Sequence, residues 1–217
     1  MARLPALIDA LTEIDGRDRL TLDVIARLLS ESGLLSKIGN RVDTASMTSR
    51  CAANLLIAAD AVQAPESAAL AVQQYRTFKQ SSRGRSIKGN VLGKISDYDT
   101  LGEAMQVLVE QARAIEAGLV SWAYGAYRDY KPTGFSIEDV IFLTSELVVG
   151  FSSGAVTIEI AVIELGMRTV QFEWTFHEDA TLMCSRFYTY PGRGPDRRVT
   201  TTIGLRTLLA MHDALIE

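Results

Sequence analysis

Between Val156 and Phe176 the apolar side chains adopt a period of two, and this constrains the fold more than any other stretch. Val156, Ile158, Ile160 and Val162 alternate with Thr157, Glu159 and Ala161, and after Gly166, Val170, Phe172, Trp174 and Phe176 alternate with Thr169, Gln171, Glu173 and Thr175. Such a pattern sends one set of side chains to each side of a strand, so each strand has one face to bury. HEDA, from His177, marks the next turn, and TLMCSRFYTY, from Thr181, reads as a third strand. Consecutive strands joined by short turns predict an antiparallel meander. RRVTTT, from Arg197, reads as a fourth strand. GLRTLLAMHDALIE then supplies a closing helix, with Leu205, Leu208, Leu209, His212 and Leu215 on the side that would cover the sheet.

The first half of the chain keeps a helical period instead. Leu4, Leu7, Ile8, Leu11 and Ile14 make one face of an opening helix that DGRDR ends. The stretch from Thr21 to Asp60 holds two further amphipathic patterns around a basic, glycine-containing connector. One runs from Leu22 to about Ser32, with Thr21 as N-cap and Gly33 as stop. The other starts near Ser46 or Thr48 and buries Cys51, Ala52, Leu55, Leu56, Ala59 and Val62, leaving Ser49, Arg50 and Asn54 on its polar edge. Pro65 opens a fourth helix, and the Thr100/Glu103 capping box precedes LGEAMQVLVEQARAIEA, which should stop at Gly118. Ser136 to Phe151 satisfies helix and strand patterns in part, and Ser136 as cap with Glu138 and Asp139 behind it favours helix. The expectation is an α+β fold: an N-terminal helical, helix-turn-helix-like unit, then an antiparallel β-meander covered by helices. Residues 1–80 would form the helical domain, 81–99 a basic linker or arm, and 100–217 the α+β domain.

A chain of 217 residues is long enough to bury a core without metal or disulfide staples. Its 47% hydrophobic and 22% charged residues are those of an ordinary globular protein, and no apolar run approaches the roughly 20 residues of a bilayer span. Acidic residues interrupt the N-terminus before a signal-peptide core develops, so the expected location is the cytoplasm, away from membrane. Cys51 and Cys184 lack zinc or redox spacing and read as small core residues.

The chemistry-bearing residues are basic. Arg50 and Asn54, four apart at the start of a helix, are the types that grip guanine and adenine edges through paired hydrogen bonds. The connector adds Lys37 and Arg41, although Leu34 to Ala45 is longer than the turn of a tight helix-turn-helix. Ser81 to Ser96 is rich in Gly, Ser and basic residues, and no acidic residue lies between Glu66 and Asp97. Arg83, Arg85 and Lys88 in this arm, with Lys37 and Arg41, are the expected phosphate contacts, because cations on flexible chain gain affinity by releasing counterions. A net charge of -4 excludes coating of nucleic acid by bulk charge but not a local basic patch. A second basic cluster, Arg186, Arg193, Arg197, Arg198 and Arg206, surrounds the last loop and strand, where it would extend that surface, bind an acidic protein partner, or face the carboxylates Glu159, Glu164 and Glu173.

Other motifs carry less. GNVLGK, from Gly89, is one residue short between its glycines for a Walker A loop and has Ile95 where a magnesium-binding hydroxyl belongs. Consecutive His177, Glu178 and Asp179 in a hairpin turn do not point at one metal centre. The aromatics of Trp122 to Phe135 could stack bases, and a loop anchored to the core explains them better. No serine elbow, Cys–His arrangement or carboxylate pair is defined by spacing, so no enzyme activity and no cofactor are expected.

ASMTSRCAANLLIA (from Ala45), the preceding EIDGRDRLTLDVIARLL and the downstream RRVTTTIGLRTLLA resemble segments of uncharacterised bacterial proteins of a prophage-associated kind. The resemblance implies a phage or mobile-element setting and no activity. Together these features point to a DNA-binding protein, such as a transcription regulator, in which Arg50 and Asn54 contact bases. The alternative is a protein-interaction factor, a host-defence antagonist or phage assembly component, able to form a homo-oligomer.

Overall fold

The computed structural model describes residues 3–36, 46–61, 64–82, 97–126, 145–152, 155–164, 167–178 and 201–216. Helix α1, Leu4–Asp15, buries Leu4, Leu7, Ile8 and Leu11 and ends on Gly16, whose φ of 64° is left-handed. A Cβ on Gly16 would meet nothing within 4 Å, so only the backbone resists a side chain there. Gly16→Ala is therefore expected to cost about 1 kcal/mol in urea denaturation, the price of a left-handed non-glycine residue.

Helix α2, Arg19–Glu31, starts earlier than the Thr21 cap predicted, because the Asp18 carboxylate accepts from the Thr21 amide at 2.8 Å and from its hydroxyl at 2.7 Å. Those two bonds, the hydroxyl's first, hold the Asp18 carboxyl below its ordinary value. Gly33, with φ 72°, provides the expected stop, and the Leu34 amide closes back on the Leu29 carbonyl at 2.8 Å.

Helix α3, Ser49–Ala61, is capped by the Thr48 hydroxyl, which accepts from the Cys51 amide at 3.3 Å. The sequence predicts a buried stripe with a polar edge. Instead every residue from Cys51 to Asp60 is buried, as in a helix at the centre of a core. The neighbours explain why: α2 and α4 (Ala68–Arg76, after a 3-10 turn at Pro65–Ser67) pack on it, as do α5 (Leu101–Glu110), β2 (Ser145–Ser152), β5 (Thr201–Gly204) and α7 (Leu205–Ile216).

The Thr100/Glu103 box caps α5: the Thr100 hydroxyl accepts from the Glu103 amide and donates to its carboxylate at 3.0 Å. The helix does not continue to a stop at Gly118. It turns at Gln111, φ -108° and ψ 18°, and α6, Ala112–Ala126, runs through Gly118. A glycine inside a helix costs only about 1 kcal/mol relative to alanine, which burial of Ala112, Ile115 and Leu119 offsets.

Among the described residues, five strands form one antiparallel sheet in the order β1-β4-β3-β2-β5, with β1 at Lys79–Ser82, β3 at Ala155–Glu164 and β4 at Met167–His177. The meander is present as β2, β3 and β4. Its first strand corrects the helix expected over 136–151: residues 145–152 lie between β3 and β5, with Val149 opposite both Ile158 and Ile203. Ladders on both edges occupy the backbone groups, and Leu147, Val149 and Phe151 face the core. Positions 136–144 and the strand expected at 181–190 lie outside the described residues. The expected fourth strand is seen from Thr201, as β5.

Val156, Ile158, Ile160, Trp174 and Phe176 are buried as the alternation predicts, but Val170 is 40% exposed. A bulge places Phe172 opposite Ile160 and Val170 opposite Ala161, moving Val170 to the other face. His177 ends β4 opposite Lys79 and Ala155, rather than sitting in a solvated turn. The buried side chains make one cluster from Leu4 to Ala214 that runs across the expected boundary at 81–99, and α1 packs on α7. Among the described residues no helix is long and apolar enough to cross a membrane.

Candidate functional site

The N-terminal ends of α3 and α5 meet at an arginine corner. Arg76, the last residue of α4, crosses both. Its side chain lies against Gly102, where an added Cβ would sit 3.0 Å from the Arg76 Cβ and Cζ. Its Nη1 donates to Asn54 Oδ1 at 2.7 Å. Asn54 in turn donates through Nδ2 to the Leu34 carbonyl at 2.7 Å. Both ends of the Asn54 amide are thus engaged inside the protein, and the residue is 1% exposed. It therefore cannot read base edges beside Arg50. Four-residue spacing places two side chains on one side of a helix, but α4 and α5 close over that side at the second turn.

Arg50, the second residue of α3, is exposed. Burial first, and then the charge of Arg50, lower the Arg76 guanidinium from its ordinary value, while Glu103 acts the other way. Among the described residues neither arginine makes an ion pair. Two like charges held together beside the positive ends of two helices, with Glu103 acting on Arg76 but not ion-paired to it among the described residues, form a place where an anion is stabilised. Cys51 lines the same helix end. Burial raises its thiol, but hydrogen bonds with Ser36 (3.2 Å) and Thr48 (3.4 Å) outweigh that and leave it below its ordinary value.

Lys37, Arg41, Arg83, Arg85 and Lys88 lie outside the described residues, but the chain on either side of them is placed. Ser36, which leads into the connector, touches Cys51 at the start of α3. Lys79, which leads into the basic arm, bridges to Thr100, the cap of α5. The connector thus departs close to the corner, and the chain that follows the basic arm returns to it at Thr100. Arg76 is the residue that sequence reasoning missed, since an arginine at the end of a helix, in a stretch without acidic residues, gives no sign of the half-buried strut it forms.

The opposite end of α3 holds a second polar cluster. Arg17, between α1 and α2, donates to the Ala59 carbonyl at 2.7 Å and to Asp60 Oδ1 at 2.6 Å, and pairs with Asp15 at 3.3 Å. A cation at the C-terminal end of a helix also meets its negative pole. The sequence signal was an aspartate inside the apolar run LLIAADAV, which only a partnered carboxylate could occupy when buried. His212, on the predicted face of α7, contacts the Val109 carbonyl at 3.0 Å. Among the described residues no group of three or more His, Cys, Asp or Glu side chains is arranged to hold a metal ion.

No protein-family model, curated protein or solved structure matches the chain.

Proposed function

We propose that the protein is a non-enzymatic DNA-binding protein of phage or prophage type that grips the phosphate backbone at the Arg50–Arg76 corner. One observation carries this reading: two arginines without ion-pair partners among the described residues stand at the ends of α3 and α5, where the connector leaves the fold and the chain that follows the basic arm returns to it. Arg50 then contacts phosphate rather than guanine, and Lys37, Arg41, Arg83, Arg85 and Lys88 extend the contact along the strand. Recognition of this kind is governed by charge and backbone shape, and base identity contributes little.

The test is binding to duplex DNA over a range of salt concentrations. Removing one phosphate contact lowers the slope of log K against log salt by about 1, so Arg50→Ala should reduce it by about that much and the Arg83/Arg85/Lys88 triple alanine by about 3. If wild type and the triple variant bind equally poorly at low salt, the reading fails.

A second reading, a protein-interaction factor, is favoured by exposed apolar side chains. Leu20 and Val24, one turn apart on α2, are 74% and 37% exposed, and Leu70 is 68% exposed beside a hollow of about 330 Å³ lined by Ala61, Ala64, Ala71 and Tyr75. Under this reading a pull-down returns one stoichiometric partner, or a second copy of the chain, and no nucleic acid.

A further inference from the structure

Arg17 serves two carboxylates and a carbonyl with a single guanidinium, so the group Asp15, Arg17 and Asp60 carries one negative charge more than it balances. Asp60 bears most of that imbalance. Its side chain is 0% exposed, and its Oδ2 has no hydrogen-bond partner among the described residues. Among the described residues, the groups that reach the cluster from other elements are hydroxyls, which do not titrate in this range: Thr201 of β5 donates to the Asp60 main-chain carbonyl at 2.7 Å, and Thr207 of α7 donates to Asp15 Oδ1 at 2.5 Å. The neighbouring charges of the α1–α2 corner are engaged elsewhere, Asp18 with Thr21 and Arg19 with Asp9. Arg206, next to Thr207, is exposed.

We propose that Asp15, Arg17 and Asp60 form a proton-operated latch that fastens the α1–α2 corner to the C-terminal end of α3 and to α7, and that it tightens when Asp60 takes up a proton. The direction follows from what opening does. Opening admits water to Asp60 and returns its carboxyl to the ordinary value of 3.8. When the latch is closed, burial raises the carboxyl, Arg17 and the Thr201 hydroxyl draw it down and Asp15 pushes it up, which leaves it at about 6. The closed form therefore binds a proton more tightly than the open form. Acidification from above pH 6 toward 4 favours closure, and a rise through pH 6 removes that gain. Between pH 7.5 and pH 5 the open population should fall about tenfold.

Amide hydrogen exchange at the two pH values, corrected for intrinsic exchange rates, measures this opening over Arg17 to Leu22 and the first turns of α7. Wild type should gain about tenfold protection at pH 5, and Asp60→Asn, which cannot titrate, should gain none. Equal protection of wild type at both pH values overturns the latch, as does the same gain in Asp60→Asn. If that variant fails to fold, carbon-13 titration of the wild-type Asp60 carboxyl decides: a midpoint above 5 supports the proposal and one at or below 5 overturns it. Because neither measurement involves DNA, failure of the nucleic-acid reading leaves both outcomes readable.

Discussion

Replacing Arg17 by alanine should destabilise the protein by about 3–5 kcal/mol at pH 7.5, the range for leaving a buried charge without its partner. The variant removes the guanidinium from a carboxylate that is 0% exposed, and it also uncaps the Ala59 carbonyl near the end of α3. The loss should depend on pH. With Arg17 gone, the Asp60 carboxyl rises above its already raised value, so at pH 5 it is protonated in the folded variant and the missing cation matters less. Urea denaturation of wild type and variant at pH 5 and 7.5 should therefore show the larger difference at 7.5. An equal loss at both values would mean that Arg17 acts through packing and the Ala59 carbonyl alone.

Asn54→Ala should be the second large effect, about 2–4 kcal/mol, because it strands two partners at once. The Leu34 carbonyl loses its donor and the half-buried Arg76 loses its acceptor. Arg50→Ala, at an exposed position four residues earlier, should change stability by no more than about 0.5 kcal/mol. Thermal and urea unfolding of the two variants thus separate a strut from a surface contact. If Asn54→Ala were as mild as Arg50→Ala, the placement of Asn54 inside the corner would be in error.

The same pair of residues shows how far the site was legible in the sequence. Arg50 and Asn54 are correctly placed within the first two turns of a helix, yet one ends in water and the other in the core. Spacing says which residues share a side of a helix; it is silent on how many neighbours close over that side. Helix α3 is rich in alanine, so α4 and α5 approach closely enough to bury even its polar edge. Residues 145–152 are a related case. Their apolar positions fit two periods, and only pairing with β3 on one edge and β5 on the other selects the strand.

Periodicity and local hydrogen bonding alone determined α1, the Gly33 stop, the Thr48 and Thr100 caps, the alternation in β3 and the α+β class, because each depends on residues a few positions apart. Tertiary structure decided the rest: the single core that joins α1 to α7, the outward turn of Val170, the Arg76 strut and the Asp60 cluster. Arg17 reaches Asp60 across 43 positions and Thr207 reaches Asp15 across 192. Contacts of that span exist only once packing has brought distant elements together, and whether a charge is paired or exposed is settled at that step.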